Sequence, residues 1–143
     1  MPAKDIYHDN VRNSLIKDGW MITHDPLVLK WGWKDQFVDL GAQRLIAAEK
    51  GQQKIAVEVK SFTGPSDMVE LERALGQYVV YHDVLAEREP DRVLYLAITE
   101  ETMKEVFEEL IASFLATQLL LKHNRARLIV FDPSQEVILQ WID

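Results

Sequence analysis

The chain contains no cysteine among its 143 residues. That excludes a disulfide scaffold, an iron–sulfur cluster, a thiolate zinc site and a cysteine nucleophile, and it fits a cytoplasmic protein. Glycine and proline are sparse, at six and five, and no glycine-rich phosphate loop is present. Gly64-Pro65-Ser66 is too short and proline-interrupted to serve as one. The four histidines lack zinc-ligand spacing, and no motif supports Ser-His-Asp catalysis. No apolar run is long enough to span a membrane, and the start Met1-Pro2-Ala3-Lys4-Asp5 has no apolar signal region. Positive charge is in deficit, with 16 Lys+Arg against 23 Asp+Glu and a net charge of −7, which argues against indiscriminate coating of DNA.

What is present is the composition of a packed globular protein, 48% apolar and 27% charged, of a length that suits one domain over residues 1–143. The charge is unevenly spread. Residues 1–60 hold 9 Lys+Arg and 8 Asp+Glu, whereas residues 61–143 hold 7 and 15. The first part can therefore approach DNA, while the acidic part would repel DNA or meet a protein partner.

The stretch from Phe37 to Lys60 carries the chemistry. It reads as strand, strand, polar turn, strand: Phe37–Leu40, Arg44–Glu49, the turn at Lys50-Gly51-Gln52-Gln53, then Lys54–Lys60. The last run alternates, with Ile55, Val57 and Val59 on one face and Ala56, Glu58 and Lys60 on the other. Asp39 interrupts a second short apolar run. Charges among core-forming strands are costly unless paired or metal-bound. Asp39 and Glu58 on adjacent strands would offer oxygen ligands of the kind magnesium takes, with Lys60 placed to stabilise phosphate charge or an attacking water. The competing reading makes Glu58 and Lys60 a solvent-facing pair and Asp39 a turn residue. Glu49, closing the middle strand, reads as a further ligand or as a hairpin residue.

Around this stretch, Asp5–Gly19 reads as an amphipathic helix on Ile6, Val11, Leu15 and Ile16, with Gly19 as its stop. Two strand candidates follow, Trp20–His24 and Leu27–Trp31, broken at Asp25-Pro26. Trp31, Trp33 and Lys34 could stack on bases or cap a core. Asp67 and Glu70 match a capping box, opening a helix through Ala86 whose predicted inner face is Met68, Leu71, Leu75, Val79, His82 and Leu85. Gln77 and Tyr81 share one side of it. Arg92–Thr99 has the apolar continuity of a central strand. Glu100–Lys122 reads as a helix whose Ala116–Leu121 segment is apolar enough to face another copy in a homo-oligomer. Arg127–Asp132 and Glu136–Ile142 read as closing strands.

Asp39 followed by Glu58-Val59-Lys60 resembles the PD-(D/E)xK nuclease signature, with Val38 where many members have proline. The element order is similar to the restriction-endonuclease-like (tRNA-endonuclease-like) α/β fold, a mixed central sheet flanked by helices. The resemblance implies that Asp39 and Glu58 bind Mg²⁺ or Mn²⁺ and that Lys60 assists the water. A Gln-x-x-x-Tyr helix after this strand resembles a motif of RecB-type nucleases, which implies DNA contact by Gln77 and Tyr81. In Holliday-junction-resolvase-like members an acidic residue on the first helix completes the metal site. Here His8 and Asp9 lie in that stretch, and an exposed polar face explains them equally.

Over nearly the full length the chain resembles the XisH family. The resemblance is carried by Asp5-Ile6-Tyr7-His8, by Glu58-Val59-Lys60-Ser61-Phe62, by Gly76-Gln77-Tyr78 and by Ile138-Leu139-Gln140-Trp141-Ile142. Proteins of that family are named as controlling factors for excision of the fdxN element in cyanobacteria. The resemblance implies action on DNA together with a site-specific recombinase complex and a XisI-type companion. The protein would then be a metal-dependent nuclease or a non-catalytic DNA- or protein-binding regulator of the excision complex.

Overall fold

The computed structural model describes residues 5–29, 45–108 and 126–143. Asp39 with its apolar run, the Trp31–Lys34 stretch and the Ala116–Leu121 segment lie outside them. The described elements are α1 (His8–Lys17), β1 (Met21–Leu27), β2 (Leu45–Lys50), β3 (Gln53–Val59), α2 (Asp67–Arg88), β4 (Arg92–Thr99), α3 (Glu100–Thr102) running into a π-helical turn (Met103–Glu108), β5 (Leu128–Asp132) and β6 (Val137–Ile142). Six strands form one mixed sheet in sequence order. β3, β4 and β5 run parallel, and every other neighbouring pair is antiparallel.

The two-residue period of β3 decides its faces. Ile55, Val57 and Val59 join Val11 and Leu15 of α1 in one core layer, while Ala56 joins Leu71, Leu75 and Leu85 of α2 in the other. β4 contributes to both layers, which accounts for its near-continuous apolar sequence. α1 ends as its glycine dictates: Gly19 sits at φ +91°. Gly19 N donates to Ile16 O and Trp20 N to Leu15 O, closing the last turn as a Schellman cap.

Three expectations need correction. β1 is one strand through Asp25-Pro26 rather than two, with register shifts on either side of His24. Among the described strands it lies at the edge of the sheet, where the missing proline N–H breaks no ladder. α2 is capped by Ser66, one residue earlier than the Asp67 capping box, its hydroxyl accepting from Val69 N at 3.3 Å. The inner face of α2 is also rotated from the apolar stripe: Met68 and Val79 are exposed, whereas Ala74, Tyr78 and Tyr81 are buried. Tyr78 can be buried because its hydroxyl donates to Leu94 O at 3.0 Å and accepts from Arg127 N at 3.2 Å, which satisfies its polar end.

Candidate functional site

β3 delivers Glu58 to the α2 side of the sheet, next along that face from Ala56, and Lys60 follows just beyond the strand end. Glu58 is 0% exposed, and among the described residues neither of its carboxyl oxygens has a hydrogen-bond partner. Burial pushes its carboxyl up from 4.5 to about 8, against the pull of the Lys60 ammonium. The solvent-facing reading of Glu58 and Lys60 therefore fails: both are buried. α2 closes over the carboxyl, and the Glu58 charge is among the influences acting on the Tyr78 hydroxyl.

Lys60 is anchored at both ends. Its backbone N donates to Ala97 O at 3.1 Å, and its Nζ lies 3.3 Å from Glu70 Oε2 on the first turn of α2. Beside it, Ser61 N donates to Asp5 Oδ2 at 3.0 Å, which ties the segment ahead of α1 to the same strand end. Glu70 at Lys60 and Asp5 at Ser61 were not identifiable from sequence, because each meets its partner from a different part of the chain. The helix-start position of Glu70 was the only local signal.

The other sequence candidates are dispersed. Glu49 pairs with Lys54 across the β2–β3 hairpin, four residues before Glu58 and about 13 Å away along the strand. Its carboxylate lies 3.8 Å from Arg92, so the structure keeps it apart from Glu58 as a hairpin residue. His8 and Asp9 belong to α1, on the opposite face of the sheet. The exposed-face explanation does not hold for His8, which is 1% exposed with its Nε2 2.7 Å from Asp25 Oδ1. Burial raises the Asp25 carboxyl, but hydrogen bonds and charges from Arg12 and His8 outweigh it and hold the group below 3.8. Gln77 is half-buried, and Tyr81 is a core residue at 5% exposure.

A divalent cation needs oxygen donors without other obligations, and the unpartnered Glu58 carboxylate meets that requirement. Among the described residues no group of three or more Asp, Glu or His side chains gathers to hold a metal. β1 ends and β2 begins at the Glu58 end of the sheet, where Leu27 pairs with Leu45. A cavity of about 490 Å³ lined by Trp20, Lys50, Lys54, Tyr95 and Trp141 lies at the other end and on the α1 face, away from this chemistry. None of the described helices is long and apolar enough to cross a membrane.

The family model described as XisH protein matches residues 1–139. A crystal structure of an XisH family protein from Nostoc punctiforme PCC 73102 is 39% identical, with a TM-score of 0.83 over 97% of this chain and 100% of that one. A crystal structure of an fdxN element excision controlling factor protein from Anabaena variabilis is 41% identical, with a TM-score of 0.82 over 97% of this chain and 99% of that one. No curated protein matches the chain.

Proposed function

The chain belongs to the XisH family, and from that premise we propose that it serves the excision of a DNA element as a metal-dependent phosphodiester-cleaving factor of the PD-(D/E)xK type. A role in fdxN element excision control fits the family. The carrying observation is Glu58: a fully buried carboxylate, unpartnered, on a central strand and one alternate position from a buried lysine. A fold has no packing reason to keep such a group, because a buried carboxyl without a hydrogen bond is costly even in its neutral form. The order of helix, three strands, helix and strand supports a restriction-endonuclease-like core.

In this reading Glu58 and Asp39 hold Mg²⁺ or Mn²⁺, which when bound neutralises charge developing on the phosphodiester. The chain's own residues do the rest. Lys60 donates an N–H to the attacking water or to a non-bridging phosphate oxygen and so fixes its approach. α2 shields the site from bulk water, and the half-buried Gln77 on that helix contacts the DNA strand, whereas Tyr81 belongs to the core. DNA, a recombinase complex and a XisI-type companion are the partners this function calls for.

Plasmid nicking with Mg²⁺ or Mn²⁺ tests the proposal. Wild type cuts, and Lys60→Ala and Asp39→Asn each lose about a hundredfold or more in rate. Equal behaviour of wild type and both variants in nicking would sink the nuclease reading, leaving a non-catalytic binding module of the excision complex.

A further inference from the structure

Lys60 sits between two acids, and it is the second that holds it. The Lys60 and Glu70 side chains are 11% and 16% exposed, with Nζ and Oε2 3.3 Å apart. The segment joining them is built to a fixed shape. Phe62 adopts φ +54°, a left-handed conformation that a non-glycine residue keeps only where its surroundings enforce it. Its ring is buried edge-on against Phe107 at 5.9 Å. Ser61 is tied to Asp5, and Ser66 caps α2.

Gly64 lies in the middle of this segment, outside the left-handed region. A Cβ there would overlap Glu70 Oε1 and come within 3.0 Å of its Cδ. The absent side chain is the slot that the Glu70 carboxylate occupies.

We propose that Glu70 is the positioning residue of Lys60, and that Gly64 admits it: the pair sets the ammonium beside the buried Glu58 carboxyl. This rests on the nuclease reading of Glu58 and Lys60. Glu70 then acts through the lysine, the cation it pairs with. Two dissimilar substitutions should therefore give one result. Glu70→Gln removes the charge, while Gly64→Ala keeps it and displaces the carboxylate. The alanine meets the far end of a flexible side chain, so the fold survives.

The test uses the full chain and two readouts. In ¹⁵N NMR of lysine ammonium groups, wild type shows a slowly exchanging Lys60 signal that disappears in Glu70→Gln and in Gly64→Ala. In Mg²⁺-dependent nicking at saturating plasmid, both variants fall about tenfold to a hundredfold in rate. Adding Glu70→Gln to Lys60→Ala costs nothing more, because the glutamate has lost the group it acts through. A Lys60 signal that survives in either variant overturns the proposal, and so do Glu70→Gln and Lys60→Ala effects that multiply. If wild type does not nick, the nuclease reading fails by itself, and the ammonium signal still decides whether Glu70 holds Lys60.

Discussion

Two buried carboxylates in one sheet meet opposite fates. Asp25 lies on the edge strand beneath α1, its side chain 7% exposed, with His8 at 2.7 Å and Arg12 at 2.6 Å. Its partners hold the carboxyl below the ordinary range. Glu58 lies on a central strand beneath α2, without a hydrogen bond, and burial drives it up to about 8. Burial is common to both; what differs is whether the charge is answered. Asp25 fastens α1 to the sheet, and its environment is complete without any ligand. Glu58 is incomplete as it stands, and a group left unanswered in a core has a function as its simplest physical account.

The two carboxyls separate most clearly in the pH dependence of stability. The folded-state pKa of Glu58 is raised, so its contribution is fully present below 4.5 and lost as pH rises through about 8. At about 1.4 kcal/mol per pH unit, the loss reaches on the order of 5 kcal/mol by alkaline pH. Denaturant melts of metal-free Glu58→Gln should show a flatter profile, with a gain of that order over wild type at high pH and little below the acid limit. Equal slopes for the two proteins would refute the assignment.

Asp25 predicts the reverse sign. Its pKa is lowered, so its contribution is present above 3.8 and lost as pH falls. Asp25→Ala strands a buried histidine and should cost about 3 kcal/mol at neutral pH, measured by urea unfolding.

A divalent cation separates the two sites next. It answers the Glu58 charge and not that of Asp25. In thermal melts at high pH, Mn²⁺ or Mg²⁺ should stabilise wild type by about 1–3 kcal/mol. The effect should shrink at low pH, where a proton must first leave, remain in Asp25→Ala and vanish in Glu58→Gln. The smallest effect belongs to Arg12, whose side chain is 42% exposed. Its pair with Asp25 is screened on that side, and Arg12→Ala should cost about 1 kcal/mol or less.

Strict alternation made the β3 faces legible, since a period of two leaves no freedom over which side Glu58 and Lys60 share. The Gly19 stop was legible because a Schellman cap requires a left-handed residue. α2 was read from its apolar stripe, and there the signal misled. A tyrosine counts as polar in a stripe, yet it is a core residue once Leu94 O and Arg127 N meet its hydroxyl. Pro26 looked like a strand break because sequence does not reveal which strand is an edge.

The sequence by itself determined the strands from β2 to β6, the side of β3 that carries the charged pair, and the family to which the chain belongs. These follow from backbone periodicity and from residues close together in the chain. Only the tertiary structure decided that Glu58 goes unanswered, that Glu70 holds Lys60, that His8 serves Asp25, and that Glu49 stays with the hairpin. Each of those depends on what crosses a loop or a sheet face to within hydrogen-bond reach. Local sequence carries no record of such meetings, and the charge state of a buried acid is set by them.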